Sequence, residues 1–202
     1  MAEGPYHHGN LRAALLERAE AVLTESGPAA LSLRGLARDI GVSHAAPTRH
    51  FQDRQAILDA LAATGFTDLN QRAQDAADTP GTVEQRLRGL SRAYIGFARE
   101  RTALLELMFS AKRELQHARD QAGQDLFRLG HQSLDLAARL LAEGQRAGTV
   151  REGDPARLAQ VVFSAVHGLA ALAVGGLLDD TPVDEACDLA LDVLLAGLAP
   201  QS

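Results

Sequence analysis

The stretch that decides the fold is residues 32–51, Ser-Leu-Arg-Gly-Leu-Ala-Arg-Asp-Ile-Gly-Val-Ser-His-Ala-Ala-Pro-Thr-Arg-His-Phe. Leu33, Leu36, Ala37 and Ile40 fall at i, i+3, i+4 and i+7, one apolar stripe of a short helix. Ser32 is placed to cap its start, and Gly41 suits a left-handed C-terminal cap. Ser43 can cap a second short helix, with Pro47 in its first turn, where a missing amide hydrogen costs least. Gly41-Val42-Ser43 joins the two tightly; Ile40 and Val42 fill the angle, and the small Ala37 lies where the helices approach. This spacing predicts a helix-turn-helix, whose second helix enters the major groove of DNA. A plain helical hairpin with a solvated polar face shares the pattern, because glycine turns between short helices are common.

Charge favours the nucleic-acid reading. Arg34, Arg38, Arg49 and Arg54 outnumber Asp39 and Asp53 between residues 32 and 54, and residues 41–52 hold no acidic group. Residues 1–54 carry six basic and six acidic groups, so the whole formal net charge of −6 falls on the remainder of the 202-residue chain. A surface that meets phosphates must avoid carboxylates, and this one does.

Outward from this stretch the chain reads as helix throughout. Alanine, leucine, arginine, glutamate and glutamine dominate, β-branched runs are scarce, and no hairpin turn separates alternating runs. The expected fold class is all-α, with nine helices at about 10–25, 32–40, 43–51, 53–77, 82–99, 102–110, 114–147, 154–178 and 181–198. Two domains are expected: a helix-turn-helix DNA-binding domain over 9–55, and a helical effector-binding and dimerisation domain over 56–200. A composition of 46% apolar and 23% charged residues is ordinary for a globular chain and excludes a disordered or fibrous one.

The lone Cys187 excludes an internal disulfide and a cysteine-based zinc site, which fits a reducing cytoplasm. The first ten residues show no basic segment followed by an apolar core, so no secretory signal is expected. Residues 161–178 run without a charge, long enough for a membrane span. Ser164, His167, Gly168, Gly175 and Gly176 within the run favour a buried or interface helix instead. No nucleophile elbow, phosphate loop, dinucleotide fingerprint or metallohydrolase helix occurs. Glu185 and Asp188 flank Cys187 and dull it as a nucleophile. An enzyme is therefore not expected. The alternative to a DNA-binding regulator is a helical scaffold or membrane-associated protein using residues 161–178.

Residues 6–12, Tyr-His-His-Gly-Asn-Leu-Arg, followed by residues 33–51, resemble the amino-terminal domain of tetracycline-repressor (TetR) type transcriptional regulators. The resemblance is strong over residues 6–60. Residues 166–170, Val-His-Gly-Leu-Ala, resemble the Trp-His-Gly signature of one carboxy-terminal subgroup, with Val166 in place of the tryptophan. Thr48 stands where the family usually has tyrosine, and Arg54 where it usually has lysine. The resemblance implies a cytoplasmic homodimer that binds a two-fold operator in double-stranded DNA. It also implies release, usually of a repressor, when a small molecule enters the second domain. No cofactor and no metal is expected; the adjacent His7 and His8 have no third ligand near them and fit an arm beside the DNA.

The DNA-binding candidates are Ser32, Arg34, Ser43, His44, Ala45, Thr48, Arg49, His50 and Arg54. His44 is suited to donate to a base acceptor and Ala45 to pack on a thymine methyl. Ser32 and Ser43 suit capping, with phosphate contacts from the amides beside them. Phe51 reads as core. Candidates for an apolar cavity are Tyr94, Phe97, Met108, Phe109, Phe127, His131, Phe163 and His167, each of which could equally be plain core. The last two helices are apolar on more than one face, through Ala165, Gly168, Leu169, Leu172 and Gly176 in one and Ala186, Leu189, Ala190, Val193 and Leu194 in the other. Such helices want a second partner, which a symmetric four-helix dimer interface supplies and a fully internal helix pair does not need.

Overall fold

The computed structural model describes residues 11–114 and 121–200. Among these the regular structure is entirely helical: α1 Leu11–Ser26, α2 Leu33–Asp39, α3 Arg54–Asp78, α4 Val83–Glu100, α5 Thr102–Glu114, α6 Gln121–Leu129, α7 Gln132–Arg146, α8 Pro155–Val174 and α9 Val183–Leu198. Two 3₁₀ turns, Pro28–Ala30 and Pro47–Arg49, complete the described elements.

The starts are set by local chemistry. The Ser32 hydroxyl accepts from the Gly35 amide at 3.1 Å, Asp53 from Ala56 at 2.9 Å, and Asp154 from Ala156 at 2.9 Å. Thr82 and Gln85 form a reciprocal capping box. Each cap satisfies amide hydrogens that a helix start leaves unpaired.

Packing divides the chain into two units, residues 11–65 with Ala103–Leu126, and Phe66–Thr102 with 127–200. In the first unit the Leu104 and Met108 side chains of α5 lie over Gly65 of α3. A Cβ there would stand 2.5 Å from Met108 Sδ and 3.0 Å from a Leu104 methyl. Leu15, Leu23, Leu36, Phe51, Ile57 and Leu61 are buried in this unit. In the second unit α4, α7 and α8 pack on one another and α9 packs on α8 and α4, with Leu87, Phe97, Leu140, Leu141 and Leu191 buried.

Three expectations are corrected. The expected helix over 43–51 is a turn followed by the 3₁₀ segment Pro47–Arg49. Pro47 has no amide hydrogen for the Ser43 carbonyl, which instead accepts from Ala46 at 2.9 Å, one residue too early for an α-helix. The long helix expected over 114–147 is broken into α6 and α7, with residues 115–120 outside the description. At the break His131 Nδ1 donates to the Phe127 carbonyl at 2.8 Å, and the His131 amide turns to Arg128 at 3.0 Å. A side chain that takes the i−4 carbonyl, beside Gly130, ends the ladder. The helix expected to reach residue 178 ends at Val174, where the Leu177 amide turns back to the Leu172 carbonyl at 2.9 Å. That helix, α8, is long and apolar enough to cross a membrane. Its Ala159, Val162, Val166 and Ala170 are nevertheless buried within the bundle.

Candidate functional site

Residues 43–50, the reading head, form a mostly exposed segment, pinned at the buried Pro47, on a buried frame. α2 ends with Gly41 at φ 72°, its amide on Arg38 and the Val42 amide on Ala37 at 2.9 Å, a paired closure that reverses the chain in two residues. Nothing lies within 4 Å of where a Gly41 Cβ would sit, so only backbone strain opposes a side chain there. Gly41→Ala is expected to lower stability by about 1–2 kcal/mol through that strain alone. Urea unfolding checks it; an unchanged midpoint would show that another closure serves as well.

Leu36, Ala37, Pro47 and Phe51 are buried beneath the segment, and the Arg12 guanidinium sits 5.4 Å above the Phe51 ring. All nine DNA-binding candidates, Ser32, Arg34, Ser43, His44, Ala45, Thr48, Arg49, His50 and Arg54, are exposed. The structure thus gathers 43–50 on one surface because Pro47 and Phe51 anchor it from below. Thr48 donates to the Ala45 carbonyl at 2.9 Å, which leaves its oxygen lone pairs outward. Arg54 Nη2 donates to the Pro28 carbonyl at 2.6 Å, so one of its five donors ties α3 to the turn after α1. Asp39, the last acidic group before the segment, lies 3.0 Å from Arg18 Nε and 3.7 Å from Arg38 Nε. Arg12, quoted above only as part of the 6–12 motif, and Arg18, which sequence reasoning passed over, therefore brace this segment from α1. Their helical pattern carried no signal for it, since both partners are distant along the chain. The pair His7 and His8 lies outside the described residues.

The second unit holds a cavity of about 30 Å³ between α4, α7 and α8. Leu90, Ser91 and Tyr94 of α4 face it, with Ser133, Leu134 and Ala137 of α7 and Ala159, Val162, Phe163 and Val166 of α8. Of the eight cavity candidates, only Tyr94 and Phe163 line it. His167 stands behind Tyr94, its Nδ1 2.6 Å from the phenol oxygen, and stacks on Phe163 with centroids 5.5 Å apart. Burial pushes the Tyr94 phenol up and the His167 imidazole down, so both are neutral at pH 7. The other candidates lie elsewhere. Phe97 is fully buried, with the Arg72 and Arg101 guanidinium groups 5.4 and 5.7 Å from its ring. Met108 is fully buried in the first unit, with Phe109 half-buried on the same helix. Phe127 and His131 contact each other at the α6–α7 break, their centroids 4.2 Å apart.

None of the ten dimer candidates is buried within the chain. Gly168, Leu172, Gly176, Leu189 and Val193 are exposed, and Ala165, Leu169, Ala186, Ala190 and Leu194 are half-buried. Leu189 and Val193 are 64% and 68% exposed, more than single surface apolar residues need be. Asp188 and Asp192 of α9 pair with Arg92 and Arg88 of α4. Among the described residues no group of three or more His, Cys, Asp or Glu could hold a metal ion. Cys187 is buried, and burial pushes its thiol up.

Residues 15–61 match the family described as bacterial regulatory proteins, tetR family, and residues 87–196 match the tetracyclin repressor-like C-terminal domain. The chain belongs to the TetR family and is a DNA-binding transcriptional regulator. It is 46% identical to a protein of unknown function from Rhodococcus sp. RHA1, over 98% of this chain and 100% of that one, with a TM-score of 0.88. It also shares its fold with the TetR family regulator PfmR from Thermus thermophilus, at 21% identity over 90% and 97% of the two chains and a TM-score of 0.71. FadR from Bacillus subtilis, solved in complex with stearoyl-CoA, is similar at 16% identity over 92% and 98% with a TM-score of 0.73. Among curated proteins none matches the chain.

Proposed function

We propose that this regulator is a cytoplasmic homodimeric repressor that leaves a palindromic operator when a small, largely apolar molecule enters the second unit. The observation that carries the DNA-reading part is the exposed, carboxylate-free segment 43–50 over its buried frame. His44 and Ala45 lead the segment and read base edges. Ser43, Arg49 and Arg54 hold phosphates and so set register, and Thr48, whose hydrogen is on the Ala45 carbonyl, offers its oxygen as an acceptor to a base edge. The exposed apolar face of α8 and α9 supports pairing with a second copy, which places two heads on two half-sites.

Release is mechanical in this reading. α3 carries residues of both packing units. A ligand that favours one position of α3 changes the separation of the two heads, which must match about 34–36 Å between half-sites. A ligand shifts that balance only by its differential affinity, usually about 1–3 kcal/mol, and operator DNA weakens ligand binding by the same factor.

Selection of bound fragments from random DNA with purified protein tests the reading, and a two-fold site is expected. Affinity for it should fall steeply with salt through counterion release. His44→Ala should relax preference at particular base pairs, whereas Arg54→Ala should weaken all sites alike. Enrichment of no sequence over scrambled DNA would overturn it.

A further inference from the structure

One side chain of α3 holds both sides of the α6–α7 break. Asn70 Nδ2 donates to the Leu129 carbonyl and to Gln132 Oε1, each at 2.9 Å, and Asn70 Oδ1 accepts from the Ser133 hydroxyl at 2.5 Å. The Leu129 carbonyl only accepts, which fixes the amide nitrogen on its side and makes Ser133 the donor to Oδ1. Leu129 is the last residue of α6, and Gln132 and Ser133 are the first two of α7. A helix leaves its last carbonyls without amide partners of its own, and Asn70 serves one of them. The same stretch is cavity wall, for Ser133 and Leu134 line the α4–α7–α8 cavity. At about 30 Å³ that cavity has room for one or two waters, so a larger occupant pushes its walls apart. A shift of the first turn of α7 either breaks the Ser133–Asn70 bond or moves Asn70 with it. Both residues are half-buried, so leaving their polar groups unpaired is the costlier outcome. Asp68 and Arg72 tie α3 to Arg101 and Glu100 at 2.6 and 2.7 Å, and neither of those partners lines the cavity.

We propose that Asn70 is the positioning residue through which the state of this cavity reaches α3. This rests on the reading of the chain as a regulator released by a molecule in the second unit, and it names the contact that carries the release. Asn70 does not line the cavity and lies outside segment 43–50. Its removal therefore cuts the link between the two sites and leaves the surface of each in place. The link acts through Ser133, which has one face on the cavity and its hydroxyl hydrogen on α3. A demonstrated element with two arrangements is what coupling requires, and the first turn of α7, with Asn70 attached or detached, supplies it.

The test fills the cavity covalently in the full-length protein and reads affinity for the selected operator. Ala137 lines the cavity from α7 and is buried, so Ala137→Leu places an isobutyl group in it; Ala159→Val, from α8, is the second filler. With Asn70 present, filling is expected to weaken operator binding about tenfold, within the range usual for coupled sites. In the Asn70→Ala background the same filling is expected to change affinity by less than about twofold, the size of an uncoupled pair. Affinities are compared within one background and below the unfolding transition of every variant, so the stability that Asn70→Ala itself removes does not enter the ratio. Ser133→Ala cuts only the bond to the cavity wall and keeps both amide bonds; it should reduce the effect in the same way and stands in if Asn70→Ala does not fold. A purely structural role for Asn70 would lower the urea midpoint and leave the ratio unmoved. An equal loss of affinity with and without Asn70 would overturn the assignment and leave the release reading standing. No loss on filling while Asn70 is present would overturn the release reading at this cavity, and the Asn70 assignment with it.

Discussion

Val193→Asp is expected to convert the proposed dimer to a monomer and to weaken operator binding by about 10²–10⁴-fold, the loss of an intramolecular second contact. Val193 is 68% exposed and lies one turn from Leu189, which is 64% exposed. A charge there touches little within its own chain, so the monomer should fold with unchanged helix content by circular dichroism. In a two-fold interface the substitution appears twice and places two carboxylates against an apolar surface. Loss of pairing separates the two reading heads, and each half-site contact then acts alone. Sedimentation velocity and operator titration read the two effects. A variant that stays dimeric and binds the operator normally would move the interface away from α8 and α9. Leu172→Asp, on the neighbouring helix and 43% exposed, should behave alike.

Phe97→Ala is expected to lower stability by about 3–5 kcal/mol, among the largest losses from one side chain. Phe97 has no exposed surface. Its ring is covered by Arg72 and Arg101, which both reach Asp68, at 3.2 and 2.6 Å, and Arg72 also reaches Glu100 at 2.7 Å. Removing the ring opens a cavity and leaves two guanidinium groups without the π face that spaces them. The urea midpoint should fall sharply. Binding of a small-molecule effector to the protein that remains folded should change little, because Phe97 does not line the α4–α7–α8 cavity. The reverse pattern, intact stability with lost ligand binding, would return Phe97 to the ligand site.

The helix-turn-helix was legible because its determinants are local. The stripe of Leu33, Leu36, Ala37 and Ile40, the Ser32 cap and the Gly41 closure all lie within one short stretch of chain. The exposure of 43–50 followed from the same pattern, since the polar side of an amphipathic unit faces water. Pro47 was visible too, but its consequence was misjudged. A proline in a first turn is harmless only if a helix follows, and here three residues of 3₁₀ structure follow before Phe51 turns into the core.

The cavity was legible only in part, for a reason general to helices. Periodicity says that a side chain points inward, and it does not say whether the inward space is filled. Tyr94 and Phe97 lie one turn apart on α4, yet one faces a cavity and the other lies under two arginines. Which neighbour each meets depends on residues far along the chain, as with Tyr94 and His167. The sequence by itself determined what short-range forces decide: the helical class, the caps, the turn at Gly41, and the separation of acidic charge from the reading head. Tertiary structure alone decided how the helices group, as where Gly65 of α3 takes the Leu104 and Met108 side chains of α5. It also decided where the helix expected over 114–147 breaks and which partner the Ser133 hydroxyl meets. Those outcomes depend on atoms that meet only after the chain has folded, and no pattern along the chain encodes their distances.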